Sequence, residues 1–468
     1  VTAHDDTTEV APKAPRRRPE GAPERTGLVV VHAPADPALL GAFLPVAPAA
    51  ELGRRAESGF LFQRPGIDAP APPLTNPQVS RRHLALSALS GGRLSVENHG
   101  RLPLRLMGER VTQGIVSPGD LVEIEDQMLF LCARRPGPLP VALEPAATAF
   151  PFGRPDASGL VGESPALWGL RGVLAFVAPR PGHVLVIGPS GAGKELVAGA
   201  LHRLSGRSSR PFLARNAATI PGTLIDAELF GHARNYPNAG MAERPGLVGE
   251  ADGGTLFLDE IGELPEAMQA HLLRLMDAGE YQRLGEARPR RADLRVIAAT
   301  HRPREALKPD VLARFRHVVE LPPLRERRED LPLLARHLLL KAARDDGRLA
   351  GRFLAETADG PEPRVSAALV EAILRHPLPL QVRELDALLW RALARSPGDV
   401  VDLPPDEPVP VEPDARSAVA FTDPQTLSAE ALRAALIEHA GVQERVWRAL
   451  GLQSRYVLRR LLTKHGIE

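Results

Sequence analysis

Between the apolar run "HVLVI" (183–187) and the amphipathic run "ELVAGAL" (195–201) the chain reads "GPSGAGKE", Gly188 to Glu195. A buried strand, a glycine-rich turn and a helix in that order leave few folds open. The glycines let backbone N–H groups wrap around phosphate oxygens, and the start of the helix favours an anion. Lys194 would reach the β- and γ-phosphates. Gly188, Ser190, Gly191, Ala192, Gly193, Lys194 and Glu195 are therefore the candidate nucleotide contacts, with ATP as the candidate ligand. The position after the lysine usually holds Ser or Thr as a Mg²⁺ ligand. Here it is Glu195, a candidate metal contact.

A second motif, "GGTLFLDEIGELP" (253–265), ends an apolar strand on two carboxylates. Asp259 would hold Mg²⁺, and Glu260 would polarise an attacking water. "LRVIAAT" (294–300) is a further apolar run of the buried parallel kind. Residues 159–337 thus read as an α/β P-loop domain, and 338–400, with "LARHLLLKAARD" and "VRELDALLWRALAR", as a helical lid.

Around this core the pattern changes. Residues 1–26 are polar and Pro-rich and read as a disordered tail. Residues 27–136 carry short apolar runs broken by Gly and Pro, the pattern of an all-β sandwich. Proline-rich stretches at 137–158 and 401–426 read as linkers, and 427–468 is helical again. The expectation is multidomain: an all-β sandwich, an α/β P-loop domain with its lid, and an all-α end. The 468 residues are 44% hydrophobic and 25% charged with net charge +1, so any basic surface must be local. The single cysteine, Cys132, sits in the apolar run "MLFLCA" and reads as a small buried hydrophobe that suits a reducing cytosol. No apolar run approaches the roughly 18 residues of a membrane span, and the first residues lack the apolar stretch of a signal peptide. A cytoplasmic protein without a membrane partner is expected.

"GPSGAGKE", "FLARNAATIPGTLIDAELFGH", "ADGGTLFLDEIGELP", "ELPPLRERREDLPLLARHLL" and "VREL", in this order, resemble the AAA+ domain of sigma-54-dependent transcription activators, the bacterial enhancer-binding proteins. The resemblance covers about residues 159–395. It implies a homo-oligomeric ring, from dimer to hexamer, with sigma-54 RNA polymerase and upstream DNA as partners. It also implies that Asn216 pairs with the catalytic Glu260 between turnovers, and that Arg383 reaches the γ-phosphate from the lid. A Glu after the P-loop lysine is the family's habit. Three places depart from the pattern. His301, a further candidate nucleotide contact, stands where the family has a sensing Asn. Of two arginines that enter the neighbouring subunit, Arg314 matches the second, while Lys308 takes the place of the first. And "NYPNAG" (235–240) replaces "GAFTGA", the loop that touches the sigma factor, with Pro237 on the Phe and Asn238 on the Thr.

The two ends carry resemblances of their own. "LGRR" (52–55) and "VSRRHLAL" (79–86) resemble a forkhead-associated domain, a phosphothreonine-binding sandwich. That resemblance puts Arg54, Ser80 and Arg81 on the phosphate of a phosphothreonine protein, with Asn98 as a further contact and His83 bracing the loop from within. "LGLQSRYVLRRLLTKHG" (450–466) has helix-turn-helix spacing and is similar to the Fis-type DNA-binding domain. Ser454, Arg455 and Tyr456 would read base edges; Arg459, Arg460 and Lys464 would bind phosphates. Together these features predict an ATP-binding, DNA-binding transcription regulator with phosphothreonine sensing. Two alternatives stay open: a regulator independent of sigma-54, and a phosphopeptide-dependent scaffold with a weak or inactive ATPase.

Overall fold

The computed structural model describes residues 23–54, 59–142, 147–221, 224–264, 266–304, 309–404 and 455–465, with single positions 429, 432, 433 and 446. The chain begins with β1 (Glu24–His32), β2 (Phe43–Pro45), β3 (Ala49–Leu52), β4 (Leu61–Arg64), β5 (Ile67–Pro70), β6 (Leu84–Leu89), β7 (Arg93–Asn98), β8 (Leu104–Leu106), β9 (Glu109–Val111), β10 (Gln113–Val116), β11 (Leu121–Ile124) and β12 (Met128–Pro136). They form two antiparallel sheets, ordered β5-β4-β2-β1-β12-β11-β8-β9 and β10-β7-β6-β3. Leu28, Val30, Leu84, Val96, Phe130 and Cys132 fill the core between the sheets.

The outer face of the larger sheet is also covered. Val29, Val31, Phe43, Leu129 and Leu131 join one buried cluster with Leu331, Leu334, Leu369, Ile373 and Leu388. That burial on both faces explains why β1 reads "LVVV" rather than alternating apolar with polar.

The α/β domain follows: α1 (Pro165–Val177), β13 (His183–Ile187), α2 (Lys194–Arg203), β14 (Phe212–Asn216), α3 (Ile225–Phe230), α4 (Gly246–Glu250), β15 (Thr255–Asp259), α5 (Glu266–Ala278), the pair β16 (Glu280–Tyr281) and β17 (Arg290–Arg291), β18 (Arg295–Thr300), α6 (Pro309–Arg314) and β19 (Phe315–Glu320). Its five-stranded sheet, β14-β15-β18-β13-β19, is parallel throughout. Continuous apolar strands suit a sheet covered by helices on both faces. Helix α1 starts cleanly because the Ser164 side chain accepts the Leu167 N–H and Pro165 takes the first turn.

The lid holds α7 (Leu331–Asp345), α8 (Gly347–Phe353), the hairpin β20 (Leu354–Thr357) and β21 (Gly360–Pro363), α9 (Ala367–Arg375) and α10 (Val382–Arg395). The boundary expected at residue 338 falls inside α7. That helix begins at Leu331 with Pro332 in its first turn, where a missing N–H does no harm. Sandwich, α/β domain and lid belong to one compact unit, and α11 (Arg455–Lys464) to a second.

The stretch read as a linker at 137–158 is packed where it is described. Phe152 stacks on Phe62 at 4.1 Å and Phe150 on Trp168 at 6.0 Å. Arg64 of β4 lies 4.4 Å over the Phe150 ring, donates to the Thr148 and Phe150 carbonyls, and pairs with Glu163 at 2.8 Å. Proline content lowers helix and strand propensity, but it does not stop phenylalanines from seeking cover. Residues 1–22, 143–146 and 405–428 lie outside the described residues, so the tail and the second linker are not placed. Among the described residues no helix is long and apolar enough to cross a membrane.

Candidate functional site

The glycine-rich loop leaves β13 with the Gly188 N–H donating to the Thr300 carbonyl on β18, 3.1 Å away. Gly191 has φ +78°, and a Cβ there would stand 2.3 Å from the Leu380 carbonyl. Only glycine lets the loop pass so close to the lid. Its carbonyl accepts the Val382 N–H at 3.2 Å, which ties the loop to the start of α10. Gly193, at φ +101°, turns the chain into α2. Ala192 packs in the core beneath, and Glu195 is exposed in the first turn of α2. Lys194 is buried; its Nζ donates to the Gly188 carbonyl at 3.2 Å and meets Glu260 Oε1 at 3.3 Å. Arg383 Nη1 donates to Ser190 Oγ at 3.4 Å.

Beyond β15 the chain places Glu260 in the left-handed region, φ 54° and ψ 48°, a conformation uncommon for any residue but glycine. Its N–H donates to Asp259 Oδ1 at 3.0 Å. Its other oxygen, Oε2, accepts from His301 Nδ1 at 2.7 Å and from the His301 backbone N–H at 3.4 Å. Burial pushes the Glu260 carboxyl up, but the His301 hydrogen bond and the Lys194 charge outweigh it and hold the group below the usual carboxylate range.

The expected pairing of Asn216 with Glu260 is not present. The Asn216 side chain caps the short turn after β14, accepting the Ala218 N–H at 2.9 Å. Local capping competes well for an Asn at a strand end, and both Glu260 oxygens are already engaged. Arg314 points into a pair with Asp277 at 2.6 Å on its own chain. Lys308 lies outside the described residues.

A cavity of about 510 Å³ opens beside Gly191–Gly193, walled by Leu160, Val161, Leu321, Leu338, Val382 and Arg383. Behind it stand residues that sequence reasoning did not single out. Buried Asp330 accepts the N–H groups of Glu163 and Ser164 and the Ser164 hydroxyl. A Cβ on Gly162 would lie 2.4 Å from that carboxylate. Arg171 clamps the same turn through the Gly162 and Leu160 carbonyls. The only available signal was an acidic residue at the end of "PLRERRED", a pattern that reads equally well as exposed helix.

The apolar wall suits a flat base, and the glycine loop with Lys194 and Arg383 suits a phosphate chain, so the residues present fit ATP. Among the described residues no three His, Cys, Asp or Glu side chains gather into a metal cage. Mg²⁺ commonly takes one or two carboxylates and completes its shell with phosphates and water. Asp259 and Glu195 fit that limited role.

In the sandwich, the loops after β3 and before β6 meet. The Arg54 N–H donates to the Ser80 carbonyl at 3.0 Å, and exposed Arg54 and Arg81 flank half-buried Ser80. Asn98 braces the third loop, donating to the Leu102 carbonyl and accepting the Gly100 N–H. Arg101, which sequence reasoning missed, brings its N–H to Ser80 Oγ at 3.4 Å. His83 is fully buried beneath and accepts the Ser80 N–H on Nδ1 at 3.1 Å.

The "NYPNAG" segment is an exposed tip closed on itself. Asn235, at φ 66°, accepts the Gly240 N–H on Oδ1, and its own N–H donates to the Met241 carbonyl. Tyr236 lies against Gly285, where a Cβ would come within 2.7 Å of its ring. Of the DNA-contact candidates, Arg459, Arg460 and Lys464 are exposed on α11, while Leu458, Leu461 and Leu462 are buried. Arg455 and Tyr456 open that helix, and Ser454 lies outside the described residues.

Fold and site define a P-loop domain of the AAA+ class. Residues 160–317 match the family described as the sigma-54 interaction domain; the chain carries that domain, the AAA+ module of bacterial enhancer-binding transcription activators. It is 39% identical over 283 residues to the DNA-binding transcriptional regulator NtrC of Klebsiella pneumoniae, covering 57% of this chain and 58% of that one. It is 44% identical over 251 residues to the nitric oxide reductase transcription regulator NorR1 of Cupriavidus necator, covering 52% of this chain and 46% of that one. The chain thus spans about half the length of these curated relatives. A crystal structure of NtrX from Brucella abortus in complex with ADP is 29% identical with a TM-score of 0.46, covering 67% of this chain and 70% of that one.

Proposed function

We propose that this chain is an ATP-hydrolysing, DNA-binding transcription regulator of the sigma-54-dependent kind, with phosphothreonine sensing by its sandwich. One observation carries the reading: Lys194, Glu260 and His301 converge at the glycine-rich loop beside a cavity large enough for a nucleotide. ATP, when bound, supplies the phosphoanhydride. A water proton passes to Glu260, the water oxygen bonds to the terminal phosphorus, and the bond to the diphosphate oxygen breaks. Lys194 would turn from Glu260 to the phosphates, and Arg383 would bring the lid to them. Mg²⁺ would rest on Asp259 and Glu195 and neutralise phosphate charge. Arg54, Ser80 and Arg81 would grip a phosphothreonine by charge-assisted hydrogen bonds. Arg455, Tyr456, Arg459, Arg460 and Lys464, with Ser454, would face DNA. Arg314, freed from Asp277, would serve the neighbouring subunit of a homo-oligomer.

A second reading rests on the loop tip. Pro237 offers no aromatic face to a sigma factor, which favours regulation without sigma-54. Capture of purified sigma-54 by the protein with ADP and aluminium fluoride decides between them. Capture by the native chain supports the first reading. With nucleotide bound and sigma-54 left in solution, the loop has lost that partner and the second reading stands. Turnover of ATP no faster than that of Glu260→Gln would overturn hydrolysis in both.

A further inference from the structure

We propose that His301, acting through Nδ1, is the positioning residue that holds Glu260 during turnover, a hold distinct from the between-turnover pairing that the resemblance assigns to Asn216. The inference rests on the hydrolysis reading above. It is carried by what each oxygen of Glu260 does. Oε1 meets Lys194 Nζ at 3.3 Å, and Oε2 meets His301 Nδ1 at 2.7 Å. The two contacts differ in kind. Lys194 belongs to the phosphate loop and is drawn off by a nucleotide. His301 follows the end of β18, outside the phosphate loop. When the lysine leaves, one carboxylate oxygen becomes free to accept a proton from water. The other remains tethered, so the base keeps its direction. A base oriented by a third group is a recurrent arrangement in activated sites.

The tether also restrains an unusual backbone. Glu260 is a left-handed residue between β15 and a short turn, and such a conformation persists only where its surroundings hold it. The His301 backbone N–H reaches the same oxygen at 3.4 Å, so the ring and the main chain approach Oε2 together. An ionised carboxylate only accepts, so His301 must carry its proton on Nδ1. Asn216, whose side chain caps its own turn, is otherwise engaged.

The chemistry explains how "ATH" can stand where "ATN" is usual. In both side chains the donor nitrogen is bonded directly to Cγ: Nδ1 in His, Nδ2 in Asn. The amide of Gln lies one bond further out, where the His Nε2 would be. Position 301 therefore should accept Asn and reject Gln, although Gln is nearer to His in length.

The test is steady-state ATP turnover of the full chain and of His301→Asn, His301→Gln and His301→Ala, with affinity for a fluorescent ATP analogue measured on each. His301 is half exposed on its side chain, so these variants should fold. The expected result is a kcat within about threefold of the native value for Asn. For Gln and Ala it should fall about ten- to a hundredfold, the scale of a misdirected reacting group, with KM and analogue affinity unchanged. Equal kcat for all four proteins, or Gln as active as Asn, overturns the positioning role while leaving hydrolysis intact. A parallel loss of analogue affinity in Ala and Gln would make His301 a nucleotide contact instead and also overturn it. Native turnover no faster than that of Glu260→Gln overturns the hydrolysis reading and this inference with it.

Discussion

His83 and Arg54 sit within one loop cluster yet do opposite kinds of work. His83 is fully buried, and its Nδ1 accepts the Ser80 N–H. Burial lowers its pKa, so the ring is neutral with its proton on Nε2. Arg54 is exposed and free to meet a ligand. Arg54→Ala should weaken a phosphothreonine peptide about tenfold or more, because hydrogen bonds to charged groups carry about 1.5–3 kcal/mol. It should move unfolding by no more than about 0.5 kcal/mol. His83→Ala should weaken the peptide too, but only by loosening the loop, at a cost of about 1–3 kcal/mol in folding from the orphaned N–H. Peptide titration and urea unfolding of both variants check this; undiminished peptide binding by Arg54→Ala removes it from the site. Lys194 and Glu260 stand out in the sequence as candidates because each is announced by its immediate neighbours. His83 was readable as a brace for the same reason. Asp330 was not, because its partners Glu163 and Ser164 lie 167 and 166 residues away.

The strands were legible from short apolar runs, and β13 and β15 from runs without alternation. What covers a strand was not. "LVVV" announces two buried faces, but nothing local says that the second face of β1 meets lid helices. The seam between the sandwich and the elements that follow it is held by pairs far apart in sequence. Arg64 meets Glu163 across 99 positions, and Arg135 meets Glu329 across 194. Arg135 is buried at the end of β12, 5.1 Å over the Phe43 ring, with Glu329 at 2.8 Å. Burial pushes the Glu329 carboxyl up, and Arg135 pulls it back. Taking away one partner leaves a charge without compensation, which costs about 3–5 kcal/mol, while replacing both by apolar groups of like volume is near neutral. Arg135→Met should therefore lower the urea midpoint sharply, and Arg135→Met with Glu329→Met should recover most of the loss. If the double variant is no better than the single one, the seam depends on packing around Arg135 rather than on the charge pair.

The same seam should make the protein sensitive to acid. A cavity of about 500 Å³ lies between the sandwich and the lid, bordered by His32, Val31, Leu40, Pro332, Val370 and Ile373. Burial lowers the His32 pKa from 6.5 to about 4. Burial also lowers His83, His183, His202 and His337. For each imidazole the unfolded chain binds a proton at a higher pH than the folded chain does. Between 6.5 and the folded value the unfolded state holds more protons, so stability falls as pH falls. The loss begins near pH 6.5 and, for His32, runs to about pH 4. Each such group contributes a slope of at most about 1.4 kcal/mol per pH unit while its window is open. Glu260, held low, adds a loss that begins as the pH falls into the ordinary carboxylate range and ends below it. Glu123 and Glu329, held high, oppose the trend. Urea midpoints measured from pH 7.5 to 4.5 should decline steadily for the native chain. His32→Gln keeps the bulk but cannot take a charge, and it should flatten the decline by about one proton's worth. An unchanged slope in that variant would show that the acid response lies elsewhere among the buried imidazoles. A flattened one would mean that the unfolded chain takes up a proton on His32 that the folded seam excludes, and that this burial supplies its share of the acid response.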